Sequence, residues 1–154
     1  MLAGLILAGC GGSSAPKATG QAVAGPGFRF EAPAGWRIER APRQVTASRD
    51  SELVRVASFA LVKPYSPALF GRVARELDVR MADVASRTGG KVSGKETVTV
   101  AGIRSHAYDV DVGDHVDEYT FVLRGKREYL LLCRRRSSSG GAFCETLATS
   151  FAPA

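Results

Sequence analysis

Lys95-Glu-Thr-Val-Thr-Val100, Ile103 to Val112, His115 to Arg124 and Arg127 to Arg134 follow one another with only Ala101-Gly102, Gly113-Asp114 and Gly125-Lys126 between them. Within these segments polar and apolar residues alternate. Val116, Thr120 and Val122 fall on one face of the third, and Tyr119, Phe121 and Leu123 on the other. A period of two is the signature of extended strands. Two-residue connections leave no room for a crossover, so neighbouring strands must run antiparallel. Residues 95–134 therefore predict a four-strand meander, and that meander decides the fold class.

Working upstream, Leu69, Val73, Leu77, Met81 and Val84 recur at helical spacing. Ser66 is a fit N-cap and Pro67 suits the first helical position. Arg72 with Glu76, Glu76 with Arg80, and Asp83 with Arg87 sit four apart on the polar side. Gly89-Gly90 ends the pattern, so a helix is predicted over about residues 67–88. Before it, Leu53 to Val62 reads as a strand with apolar residues on both faces, hence a central one. Phe28-Arg-Phe30-Glu and Arg37-Ile38-Glu39 read as shorter strands around a turn at Pro33-Ala-Gly35-Trp36. Downstream, Ser137 to Gly141 is a loop, and Phe143, Leu147 and Phe151 form the stripe of a short helix over residues 142–151. Runs of strands with only two helices predict an α+β domain. Its antiparallel sheet of about six to seven strands is flanked by one long helix and a short C-terminal helix.

The chain has 154 residues, 45% hydrophobic and 23% charged, which suits one globular domain. No run of about 20 apolar residues is present. The net charge of +6 reads as a dispersed, solvated surface, because Lys and Arg are interleaved with Asp and Glu. Only Arg134-Arg135-Arg136 forms a basic run; it reads as a polar strand end or as a contact to lipid head groups. Nucleic acid is not an expected partner.

The N-terminus carries the plainest functional signal. A short apolar run ends in Leu7-Ala8-Gly9-Cys10, followed by a Gly/Ser/Ala/Pro-rich stretch. An aliphatic residue, two small residues and a cysteine form a bacterial lipobox. The Cys10 thiol is the nucleophile that takes a diacylglycerol, and the small residues give signal peptidase access to the backbone. Residues 1–9 are then the remnant of a signal peptide that normally begins with a charged region, so the true start is expected upstream. Residues 10–27 are the lipidated cysteine and a flexible tether. Residues 28–154 are the domain. The expected partners are a membrane, through the lipid, and an envelope protein. The expected location is a cell membrane or outer membrane, facing the extracytoplasmic space.

Once Cys10 is assigned, Cys133 and Cys144 remain, an even pair in an export context. A disulfide between them would close a loop of about twelve residues. Two buried thiols or half a metal site are the alternatives, but a metal needs more ligands. No cofactor, metal or catalytic set is expected. His106 and His115 are the only histidines, and no Gly-x-Ser-x-Gly is present. Asp109, Asp111, Asp114, His115, Asp117 and Glu118 surround one hairpin turn. They read as a solvated acidic hairpin, or as a cation site lacking the usual calcium-loop spacing. Trp36 and Tyr65 are the candidates for lining a ligand or partner groove, although Trp36 after Pro-Ala-Gly reads first as a core anchor.

The sequence resembles the PsbP-like family, and within it the small LpqN-type bacterial lipoproteins. The residues that carry the resemblance are Phe28-Arg-Phe-Glu-Ala-Pro33-Ala-Gly-Trp36, Val98-Thr-Val-Ala-Gly102, Tyr119-Thr-Phe-Val-Leu, Tyr129-Leu-Leu-Leu-Cys133 and Ser150-Phe151, over about residues 27–152. The resemblance implies an antiparallel sheet flanked by helices and a role in binding or assembly rather than catalysis. It transfers no site residue. A lipid-anchored, non-enzymatic envelope lipoprotein is the reading these observations support. A small-molecule or lipid-binding module and a hydrolase using His106 or His115 are the alternatives.

Overall fold

A computed structural model of the protein describes residues 20–154. The elements run β1 (Gln21–Gly25), β2 (Phe28–Ala32), β3 (Arg37–Ala41), β4 (Gln44–Arg49), β5 (Glu52–Ala60), a 3-10 turn (Pro67–Leu69), α1 (Phe70–Thr88), β6 (Lys91–Val100), β7 (Ile103–Asp111), β8 (His115–Arg124), β9 (Arg127–Arg136), α2 (Ala142–Ser150) and β10 (Ala152–Pro153). A seven-stranded sheet has the order β3-β4-β5-β9-β8-β7-β6, and a three-stranded sheet the order β1-β2-β10. Every pairing is antiparallel. The predicted α+β architecture is present, with the meander as β6 to β9.

Two covers protect the large sheet, one on each face. α1 packs on β6 and β7. It buries Leu77, Met81 and Ala85 against Tyr108, Val110 and Phe121. On the other face, α2 and the small sheet bury Phe28, Phe30, Trp36 and Leu147 against Val54, Val56, Tyr129 and Leu131. Strand register explains the split. Tyr108 opposes Tyr119, and Phe121 opposes Leu130, so these side chains share the α1 face. Val56 opposes Leu131 on the face of α2.

Helix α1 stops where Gly89 adopts φ 70°, a left-handed cap that glycine enters without a Cβ clash. The Ala101-Gly102 turn places both residues at positive φ, 51° and 75°, which matches the twist of the flanking strands.

Four expectations need correction. The last third of the expected tether, residues 21–25, is a strand rather than flexible chain. Val23 is buried there, and the Gln21 amide donates to the carbonyls of Pro33 (3.0 Å) and Trp36 (2.9 Å). The described domain thus begins before Phe28. Five strands precede α1 rather than two or three. β4 lacks clean alternation because Val45, Thr46 and Ala47 are all buried. The Ser66-Pro67 start yields a single 3-10 turn before α1, without a side-chain cap bond. Finally, the strand expected to run to Val62 ends at Ala60, and Val62 is 97% exposed.

Cys133 and Cys144 form a disulfide with Cα atoms 5.5 Å apart, tying α2 to β9 across a sequence separation of 11. α2 has nine residues, too few to persist alone. Cys144→Ser should therefore lower unfolding free energy by about 2–3 kcal/mol. Urea denaturation of the variant beside the oxidised parent measures this, with a shift in midpoint and little change in slope expected.

Candidate functional site

Cys10 lies outside the described residues. The chain it would anchor joins the domain at Gly20, beside Ala32 and Glu31. Next to this entry, the Pro33–Trp36 loop turns Trp36 inward. Its ring is 4% exposed and lies 5.0 Å from that of Phe143 on α2, and the Arg49 guanidinium sits over it at 5.7 Å. A concavity of about 680 Å³ opens here between Pro33, Ala34, Phe143 and Thr146, flanked by Glu31 and Arg49. Trp36 is thus a core anchor whose edge also floors a shallow, largely apolar hollow.

Tyr65 belongs elsewhere. It packs at the margin of the α1 cluster, and its N–H donates to the Gly125 carbonyl at 2.7 Å. Burial pushes its phenol pKa up, opposed by the Arg104 charge. Trp36 and Tyr65 consequently line no common groove. Sequence reasoning missed Arg49 and Phe143, the two partners of Trp36. The stripe Phe143, Leu147, Phe151 marked Phe143 as inward-facing, but no spacing rule linked it to Trp36.

His106 and His115 are held by structural contacts. The His106 ring is 3% exposed and stacks on Phe70 at 3.8 Å, while Arg104 covers the other side of that Phe70 stack at 3.9 Å. The His106 Nε2 has no hydrogen-bond partner among the described residues. His115 Nδ1 lies 2.6 Å from Asp114, and its Nε2 lies 3.8 Å from Asp117. Neither ring has a serine hydroxyl as its hydrogen-bond partner among the described residues, which a nucleophilic pair requires.

The acidic hairpin and the basic run answer each other. Asp117 is 1% exposed and accepts two bonds from Arg134, at 2.7 and 2.8 Å. Glu118 accepts from Arg135 at 2.6 Å. Arg136 lies 3.7 Å from the buried Glu52, which also accepts from Ser139. Each arginine of the run thus has its own carboxylate, and the run is an internally neutralised strand end. Among the described residues no group of three or more His, Cys, Asp or Glu is placed to hold a metal ion.

One more recess lies on the half-face that α2 leaves open. It encloses about 220 Å³ between Val98, Leu147 and the carboxylates of Glu96, Asp109 and Glu145. On the opposite face, Asp78 accepts bonds from Lys95 (2.7 Å) and Tyr108 (2.9 Å). These bonds, that from Lys95 foremost, hold the Asp78 pKa below the usual carboxylate value. The arrangement as a whole offers surfaces for binding.

The fold is PsbP-like. The solution structure of cyanobacterial PsbP (CyanoP) from Synechocystis sp. PCC 6803 superposes with a TM-score of 0.68, over 96% of this chain and 99% of that one, at 16% sequence identity. A crystal structure from Bacteroides thetaiotaomicron VPI-5482 at 1.50 Å resolution gives a TM-score of 0.53 at 12% identity, with 88% of this chain covering 48% of that one. No family model and no curated protein matches the sequence.

The buried His106 sets a pH dependence of stability. Desolvation, the largest cause, lowers its pKa from 6.5; Lys95 and Arg104 act the same way, while the Phe70 backbone and Asp78 oppose them. The unfolded chain takes up a proton near pH 6.5 that the folded chain refuses. Stability is then full above that pH and declines below it, by at most about 1.4 kcal/mol per pH unit. His106→Phe, which keeps a ring against Phe70, should flatten the decline below about pH 6.5 in chemical denaturation. An unchanged profile would assign the decline to other groups.

Proposed function

We propose that this chain is a lipid-anchored cell-envelope lipoprotein whose PsbP-like domain is a non-catalytic binding or assembly module. The observation that carries the reading is Leu7-Ala8-Gly9-Cys10 at the end of an apolar run, shortly ahead of a folded domain. Nine residues, 11–19, lie between Cys10 and Gly20, a span of ten residue steps. Fully extended, such a segment reaches at most about 35 Å, so an anchored domain stays at the bilayer surface. Among the described residues no helix is long and apolar enough to cross a membrane, so in this reading the lipid supplies the attachment. The Cys133–Cys144 disulfide supports an oxidising compartment. The contacts of His106 and His115 favour binding over hydrolysis.

Intact mass of the protein taken from native membranes tests the anchor. A diacylglycerol-sized increment is expected at Cys10, lost in Cys10→Ala together with membrane sedimentation. An unmodified thiol in the membrane-derived protein would overturn the reading.

A second reading, binding of a small apolar molecule, is favoured by the hollow beside Trp36, Phe143 and Arg49. Trp36 is the only tryptophan, so its fluorescence reports that site alone. Titration with a medium-chain fatty acid should shift the emission if the hollow binds it, and Phe143→Ala should alter the response. A flat titration at saturating probe removes this reading.

A further inference from the structure

The cations that the sequence scatters are gathered by the fold. Arg40 and Arg43 flank the β3–β4 turn, Lys63 follows β5, and Arg124, Lys126 and Arg127 make the β8–β9 turn. Strand register brings these turns to one end of the sheet. The Ser58 N–H donates to the Arg43 carbonyl and the Leu61 N–H to the Lys126 carbonyl, each at 2.9 Å. Ala60 opposes Arg127, and Arg124 opposes Arg127. All six side chains are exposed, and among the described residues none is ion-paired. These six are half of the twelve Lys and Arg that have no ion-pair partner among the described residues.

Two further features define the tip. Val62, 97% exposed, stands next to Lys63 and is the most exposed large apolar side chain among the described residues. The entry at Gly20 lies at the other end of the domain. Arg49, above Trp36 at the entry side, and Arg43, at the tip, stand at opposite ends of β4, roughly 20 Å apart.

We propose that this tip docks a carboxylate-rich protein surface. An exposed apolar residue at the same sheet end as a group of unpaired cations has the ingredients of a protein interface, in which an apolar centre is dried and charges steer and register the partner. A phosphate polymer offers nothing to Val62. Four of the six cations are arginines, whose planar fork matches a carboxylate in two bonds. A bilayer could also use cations with an apolar side chain. Resting on the anchoring reading, however, the lipid attaches at the Gly20 end, so the tip is the end farther from the attachment point.

The test uses full-length protein carrying Cys10→Ala in solution, so that it stands apart from the anchor experiment. The probes are poly-L-glutamate, a glutamate–leucine copolymer of equal charge, and phosphatidylglycerol vesicles. Tip reversal (Arg43→Glu, Arg124→Glu and Lys126→Glu together) should weaken poly-L-glutamate binding by about tenfold or more, with a shallower salt dependence. The same reversal at Arg75, Arg87 and Lys91, exposed positions on α1 and at the start of β6, should change it by less than about threefold. The copolymer should bind more tightly than poly-L-glutamate, and Val62→Ser should remove that gain. Circular dichroism checks that each variant is folded. Equal losses in the two triple variants would reduce the effect to net charge and overturn the proposal. Tip-dependent binding to vesicles that exceeds binding to either polymer would overturn it in favour of a membrane surface. Absence of binding to every probe would also overturn it.

Discussion

A seven-stranded sheet with apolar side chains on both faces has to be covered twice, and the rest of the structure depends on how that is done. β9 makes the demand plain. Leu130, Leu131 and Leu132 are consecutive, so whichever way the strand is turned, leucine points both ways. The chain answers with two staggered covers. α1 lies over β6 and β7 on one face, while α2 and the small sheet lie over β5 and β9 on the other. Each cover therefore leaves half of its face open. On the open half of the α1 face, long polar side chains complete the shielding. Arg134 is held by Asp117, and Arg55 Nε donates to the Thr46 hydroxyl at 3.0 Å, so their aliphatic stems lie along the sheet.

The two covers are built on different terms. α1 has nineteen residues, an apolar stripe and a proper C-cap. α2 has nine residues, and its place is fixed by contacts made after it ends or across it. Phe151 packs on Tyr129 at 5.4 Å, β10 adds to β2, and the Cys133–Cys144 bond holds the first turn. The small sheet is equally dependent, since a three-stranded patch with strands of five, five and two residues has no core of its own. Val23, Phe28 and Phe30 are buried only because Tyr129 and Leu131 lie beneath them. The disulfide thus secures a whole layer, including the segment through which the N-terminus enters.

The elements legible in the sequence are those whose pattern is local. Three two-residue turns with glycine fixed the meander, helical spacing fixed α1, and the even cysteine pair pointed to the disulfide. β1, β4 and β10 escaped for a shared reason. Each is short, and no sustained apolar alternation announces it: β1 and β10 have five and two residues, and in β4 Val45, Thr46 and Ala47 are all buried. The site followed the same rule. Trp36 reads as inward-facing after Pro-Ala-Gly, but nothing in its neighbourhood names Phe143 or Arg49. One relation was available and overlooked. A two-residue turn at Gly125-Lys126 sets Arg124 opposite Arg127, and the same register places Asp117 opposite Arg134. The ion pair between the acidic hairpin and the basic run was therefore already determined.

That overlooked register bears on how charge in this chain should be understood. Three consecutive arginines draw the eye in a sequence, yet they are the cations most fully answered by carboxylates. Asp117 is 1% exposed, and its two carboxylate oxygens are met by two bonds from Arg134. Twelve Lys and Arg of the described residues have no ion-pair partner, and six of them come from three separate connections at one end of the sheet. A run along one strand end meets the acids of its neighbouring strand, because adjacent strands trade side chains at about 5 Å. Turn residues at a sheet end have no neighbouring strand to meet them, so their charge stays with solvent. Half of the unpaired cations accordingly sit at or beside turns, and the topology that puts the β3–β4 turn, the exit of β5 and the β8–β9 turn at one end gathers them into one surface.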